Sequence, residues 1–427
     1  MLFQYRIYPW TRRQCIMRTG YWRLPPLSGL MLLAPLASAG TMSWVSLKKY
    51  PDAVCVDGSP AGYYWDAAPA ESPTSTWIMY LDKGGWCWSD KTCEWRCRNA
   101  PGLCGSSSYN STMKVPEGLF SARHETLQQA NKVFVPYCTS DAHMGNGEAF
   151  GRQFRGARVV EAVLTDLVQR RGLGQGSGRD FFLFGGGSAG ARGAMIALDH
   201  VKTMLDTTAG NVDLMGFLDS PAWIDRDTLN SHRDSLGLQT QAVHSYANVS
   251  LSYLDPACAS TFTGDDAWKC MFAEYRLPFL QTPYFMVAAQ FDSFQLMVNM
   301  DHKKDRPCSG KEVEYAEGLQ ARTLMLIRKL ASPSNAIFSP ACINHVTALE
   351  DFGFKQMTSS GVVMEDALVR FLGLPPREGA GNTTDGPWVD LCSGMGCGSG
   401  CGESPQWACA GPNGILTALE FQVVMQG

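Results

Sequence analysis

Asp180-Phe181-Phe182-Leu183-Phe184-Gly185-Gly186-Gly187-Ser188-Ala189-Gly190 decides the fold class of this chain. Asp180 to Phe184 is a short apolar run bounded by glycine, the pattern of a buried strand. Ala191 to Met204 carries helical spacing directly after it. Between them stands the one G-x-S-x-G of the sequence, Gly186 to Gly190. With 43 glycines in 427 residues the bare pattern carries little weight. Its place between a strand and a helix carries much more, because that is the context of a nucleophile elbow. Glycine permits the sharp turn and lets helix and strand approach closely. The hydroxyl of Ser188 is then held at the positive end of a helix. The plain alternative is a Gly-rich turn with a capping serine.

Outward from this turn, strands and helices alternate. Trp77 to Leu81 reads as a buried strand entering the turn Asp82-Lys83-Gly84-Gly85, and Lys132 to Cys138 as a second strand. Val159 to Arg171 has helical spacing and closes at Gly172. Asp213 to Leu218 and Pro283 to Gln290 are further apolar strands, and Ala316 to Leu330 a later helix. The alternation predicts a mostly parallel sheet with helices on both faces. The aromatic stretch at about 224–282 is long enough for a lid insertion, and the Cys-rich loops read as disulfide-stapled. Beyond Pro375-Pro376 the composition shifts to Gly and Cys, which predicts an appendage over 376–427.

A serine nucleophile needs a base, and the base an orienting acid. In an elbow-bearing fold they follow in the order Ser, Asp, His. Asp292 ends the apolar run Pro283 to Phe291 and is the expected acid; Asp219, after Leu214 to Leu218, competes with it. Two histidines lie downstream of Asp292. His302 sits in the charged run Asp301-His302-Lys303-Lys304-Asp305 and reads as a solvated face, which leaves His345 as the base. Acyl transfer also needs N–H donors for a developing oxyanion. Ala189, the residue after the serine, supplies one, and the Gly84-Gly85-Trp86-Cys87 loop a second. Trp86 is placed to wall an acyl pocket, or else is simply core.

The N-terminus and the cysteines bear on compartment. Residues 1–24 hold five arginines and no acid, and the short apolar stretch Leu27 to Leu36 runs into Ala37-Ser38-Ala39. That order predicts a cleaved secretion signal over 1–39, too short for the about 20 residues of a spanning helix. Of 15 cysteines, 14 follow it, a density that reads as a disulfide framework. No C-x-x-C pair exists, so no metal site is expected. Asn110, Asn248 and Asn382 begin N-glycosylation sequons. The chain has 36 basic and 40 acidic residues, a net charge of −4; without the five leader arginines, 31 face 40, or −9. An acidic chain with no basic tract gives nucleic acid nothing to hold.

Four separated segments resemble one family, the pectin acetylesterase and Notum group of secreted α/β-hydrolases. They are Tyr80 to Cys87; Val133-Phe134-Val135-Pro136-Tyr137-Cys138-Thr139-Ser140-Asp141; Gly187 to Gly190 with its strand and helix; and Gln290 to Leu296 followed by Cys342-Ile343-Asn344-His345. The resemblance covers roughly residues 50–372. It implies an α/β-hydrolase domain over 40–375, Ser188, Asp292 and His345 as catalytic residues, and Gly85, Trp86 and Ala189 as oxyanion donors. It also implies cofactor-free hydrolysis of an ester outside the cell, in the cell wall or elsewhere. The substrate would be an acetylated polysaccharide or an acylated secreted protein, with no stable membrane insertion once the signal is removed. Two departures stand close to the site: Lys83 replaces the first Gly of the family's triplet, and Ala191 the second Gly of S-A-G-G. A disulfide-held binding module without activity is the contrasting expectation.

Overall fold

The computed structural model describes residues 40–402, except 73–74, 230–232, 251–255, 302–307 and 381–384. The expected signal over 1–39, His302, Asn382 and the chain from 403 lie outside the described residues. Among the described residues, ten strands form one sheet. In chain order they are β1 (Thr41–Ser46), β2 (Gly62–Asp66), β3 (Thr76–Leu81), β4 (Thr112–Lys114) and β5 (Asn131–Val135). They continue with β6 (Asp180–Gly187), β7 (Val212–Asp219), β8 (Tyr284–Val287), β9 (Ala336–Ser339) and β10 (Trp388–Val389). Across the sheet the order is β10-β9-β8-β7-β6-β3-β5-β2-β1-β4. The pairs from β10 to β5 are parallel, whereas β2, β1 and β4 join antiparallel.

The central strands are apolar throughout because both faces are covered. On β3, Trp77, Met79 and Leu81 enter one core layer, and Ile78 and Tyr80 the other. Phe182 and Phe184 of β6 join the first and Leu183 the second. The helices Gly156–Asp166 and Ala189–Thr208 pack in the first layer; Phe354 and the helix Met364–Phe371 close the second.

Connections from β3 and β6 diverge: β3 leads to β5 on one side, and β6 to β7 on the other. In open α/β sheets a crevice opens outside the carboxyl ends of strands at such a switch point. Here the Gly84-Gly85 turn and Ser188 flank that crevice.

The segment between β7 and β8, expected as a lid at about 224–282, holds short helices that include Leu236–Tyr246 and Ala273–Arg276. Cys258 and Cys270 staple it. The other disulfides among the described residues are Cys55–Cys138, Cys87–Cys93, Cys97–Cys104, Cys342–Cys401 and Cys392–Cys397. Asn110 and Asn248 are both exposed. Among the described residues, no helix is long and apolar enough to cross a membrane.

One expectation is corrected. The segment after 376 is not wholly an appendage, since β10 pairs with β9 through Phe338↔Trp388 and Ser339↔Val389. Trp388 is 2% exposed and packs on Phe285. The Gly- and Cys-rich composition concealed a two-residue strand, too short to leave a periodic pattern. Trp388→Ala is expected to lower stability by about 3 to 5 kcal/mol, read from the denaturant midpoint at unchanged slope. A loss below about 1 kcal/mol would mark this segment as dispensable.

Candidate active site

The turn after β6 stands on contacts that admit no side chain. A Cβ at Gly190 would lie 2.0 Å from the carbonyl oxygen of Leu81, and one at Gly186 2.6 Å from the same atom. At Gly187 it would meet the Tyr80 hydroxyl at 2.3 Å. Strand β3 therefore presses directly on the turn. Ser188 takes φ +52°, a conformation non-glycine residues rarely adopt and one that concentrates at functional sites. Its N–H donates to the Asp219 carbonyl at 2.9 Å, and its own carbonyl accepts the first helical bond from Arg192.

His345 and Asp292 reach Ser188 through a second, miniature sheet. Phe291-Asp292 pairs in parallel with Ile343-Asn344, beyond the ends of β8 and β9. The sequence reading ran β8 straight on to Asp292; in the structure β8 ends at Val287. His345 Nε2 lies 2.8 Å from Ser188 Oγ, and its Nδ1 2.7 Å from Asp292 Oδ2. A carboxylate accepts, so Nδ1 carries the proton and Nε2 turns its lone pair to the serine hydroxyl. The other oxygen of Asp292 accepts from the Gln295 N–H at 2.8 Å, which caps the helix Ser293–Met300. One carboxylate thus orients a ring and starts a helix, and the helix dipole favours its negative charge. Phe294 stacks on the His345 ring with centroids 5.2 Å apart.

The loop after β3 is braced from behind by the Val133-to-Asp141 segment. Tyr137 donates its hydroxyl to the Gly85 carbonyl at 2.8 Å. Arg96 donates to the Gly84 carbonyl and, at 2.7 Å, to Ser140 Oγ. Gly84 and Gly85 both have positive φ, at +153° and +66°, a region that favours glycine. The Trp86 indole is 4% exposed and donates to Gln239 Oε1 of the inserted segment at 3.0 Å. Gly85 and Trp86 therefore stand on the loop after β3, and Ala189 opens the helix that Ser188 caps. The residues that fix them, Tyr137, Arg96 and Ser140, escaped the sequence reading as a set. Tyr137 and Ser140 lay inside a quoted motif, but nothing in their types announces a brace.

Asp219, the competing acid, has a different engagement. Its Oδ2 accepts from the Thr347 and Ala348 N–H groups at 2.9 and 2.8 Å, and its Oδ1 from the Ser220 hydroxyl at 3.1 Å. The Val346 N–H donates to Ser220 Oγ at 2.9 Å. Val346 has φ +56° and Ser220 φ +64°. A β-branched residue in that region is a genuine outlier, so the loop just after His345 depends on this support. Burial raises the Asp219 carboxyl above its ordinary range, opposed by the Ala348 N–H and the neighbouring His345.

Residues 36–372 match the family model described as pectinacetylesterase. The chain belongs to the pectinacetylesterase family. Among its relatives are palmitoleoyl-protein carboxylesterase notum2 of Xenopus laevis and NOTUM of Homo sapiens, 28% and 29% identical over 301 and 305 residues. Each alignment takes in 68% of this chain, but only 59% and 58% of the relative. Pectin acetylesterase 7 of Arabidopsis thaliana is 27% identical over 74% of this chain and 83% of its own length. The structure of the Wnt deacylase Notum from Drosophila superposes with a TM-score of 0.73 at 22% identity, covering 85% of this chain and 99% of that one. That likeness establishes the α/β-hydrolase-like fold of this family member.

The geometry around the family's elbow generates a test of the Asp219 support. Asp219→Ala is expected to slow covalent labelling of Ser188 by a fluorophosphonate about ten- to hundredfold, the scale of a small misplacement of a reacting group. Asp219→Asn keeps an acceptor for the two N–H groups and should lose less. Equal labelling of Asp219→Ala and the native protein would remove Asp219 from the support of His345.

Proposed function

We propose that this protein is a serine carboxylic-ester hydrolase that removes O-acetyl groups from an extracellular polysaccharide. The observation that carries the reading is the continuous hydrogen-bonded line from Ser188 through His345 to Asp292, at 2.8 and 2.7 Å. Ser188 Oγ attacks the ester carbonyl carbon as its proton passes to His345 Nε2. Asp292 holds the imidazole in register and stabilises the imidazolium. Negative charge collects on the carbonyl oxygen, where the N–H groups of Ala189 and of Gly85 and Trp86 receive it. Collapse breaks the bond to the sugar oxygen, which takes the proton from His345 and departs as a hydroxyl, leaving acetyl-Ser188. Water then gives a proton to His345 and attacks the same carbon; as the acyl–oxygen bond breaks, His345 returns that proton to Ser188 Oγ and acetic acid leaves.

Membership in the pectinacetylesterase family supports the acetyl substrate. The expected signal and the six disulfides among the described residues support a place outside the cell. A second reading, removal of a fatty acyl group from a secreted protein, draws on the palmitoleoyl-protein carboxylesterases among the relatives. Acyl length separates the two, since a fatty chain needs a long apolar cavity and an acetyl group only a small one.

The test is turnover of p-nitrophenyl esters from acetyl to palmitoyl, with Ser188→Ala beside the native protein. Activity that peaks at acetyl and vanishes in the variant is the expected outcome, and a peak at octanoyl or beyond would favour the second reading. Asp292→Asn should lower kcat by about 10³ to 10⁴-fold with little change in KM, as loss of an orienting carboxylate does. If no ester is turned over and Ser188 resists the fluorophosphonate, the protein is a binding module instead.

A further inference from the structure

One turn into the helix that begins after Ser188, an arginine interrupts an apolar run: Ala189-Gly190-Ala191-Arg192-Gly193-Ala194-Met195-Ile196. Arg192 is fully buried, at 0% exposure, where arginine is almost never found unless paired. Its guanidinium carbon lies 4.0 Å from the ring centroids of both Trp86 and Trp223, and 5.8 Å from that of Phe272. One nitrogen, Nη2, donates to the Met271 carbonyl at 2.8 Å and reaches Thr240 Oγ1 at 3.5 Å. Nε and Nη1 have no hydrogen-bond partner, and no ion pair engages the group among the described residues. Burial pushes its pKa down to about 9.

As mere core filling this is an expensive choice, because a buried cation with unpartnered N–H groups is less favourable than a packed aliphatic chain. Its position gives the reason. Trp86 follows Gly85 in the loop that borders Ser188. Trp223 meets Trp86 edge-on at 5.7 Å and stacks on Phe294 at 5.2 Å, and Phe294 in turn stacks on His345 at 5.2 Å. An unbroken aromatic wall thus leads from His345 to the corner between the two tryptophans. A flat guanidinium fits that corner, drawn to both ring faces and pinned by the Met271 carbonyl.

We propose that Arg192 sets the acyl-length limit of the site: its guanidinium fills the space between Trp86 and Trp223 that a long acyl chain would occupy, so that only acetyl or similarly short groups enter. This rests on the ester-hydrolase reading above. Native protein, Arg192→Ala and Arg192→Met are compared on p-nitrophenyl acetate, butanoate and octanoate, with fluorophosphonate labelling of Ser188 as the check on an intact site. The octanoate-to-acetate ratio of kcat/KM is expected to rise at least about tenfold in Arg192→Ala, the scale of discrimination by pocket size. Arg192→Met, which keeps most of the volume, should retain the native ratio. Should Arg192→Ala fail to fold, Arg192→Val opens part of the same space and should raise the ratio by a smaller factor. The proposal is overturned if native protein already turns over octanoate as well as acetate. It is equally overturned if a truncated, labelling-competent variant keeps the native ratio, or if Arg192→Met shifts it as far as Arg192→Ala. Absence of any Ser188-dependent turnover by native protein, with no labelling, overturns the ester-hydrolase reading and this limit with it.

Discussion

Backbone touches backbone where β3 meets the turn after β6, and much of the site follows from that approach. The Leu81 carbonyl lies where a Cβ of Gly190 would be. With nothing but hydrogen there, the helix Ala189–Thr208 comes in close over the sheet and Ser188 is forced into its positive φ. The same closeness brings the Gly84-Gly85 loop beside the serine, because β3 and β6 are neighbours with carboxyl ends in register: Leu81 lies opposite Gly186. A side chain at Gly190 would push Ser188 and the loop after β3 apart.

Against this fixed half stands an assembled one. His345 and Asp292 come from segments 53 residues apart in sequence, and three devices join them. A two-residue parallel pairing aligns Asp292 with Asn344. The N-cap bond to Gln295 fixes one carboxylate oxygen so that the other meets the imidazole. From below, Asp219 and Ser220 hold the strained Val346 and the two residues after it. Asp219 ends β7, the strand next to β6, and its own carbonyl accepts from the Ser188 N–H. One residue therefore ties the serine by its main chain and the histidine loop by its side chain.

Much of this was legible in the sequence, and the exceptions have physical causes. Apolar runs at β3, β6 and β7 stood out because strands covered on both faces leave no polar alternation to blur them. The glycines around Ser188 were legible because close approach and positive φ leave glycine few substitutes. Elements made by partners distant in sequence were hidden. The pairing of 291–292 with 343–344 and the edge strand Trp388–Val389 are too short for any period, and exist only because the larger sheet presents them to each other. Asp219 drew notice as a carboxylate at a strand end, but its N–H partners lie more than a hundred residues away. Arg192 had a visible signal, a charge inside an apolar helical run, and its meaning emerged only with the two tryptophans around it.

The family match stops at residue 372, but the sheet does not. Cys401 is bonded to Cys342, three residues before His345, and β10 covers the edge of β9, the strand that leads into that segment. A recombinant boundary drawn where the family pattern fades would strip an edge strand from the sheet. It would also leave an unpaired thiol beside the histidine loop. The sheet and its disulfides therefore reach beyond the residues that the family pattern matches.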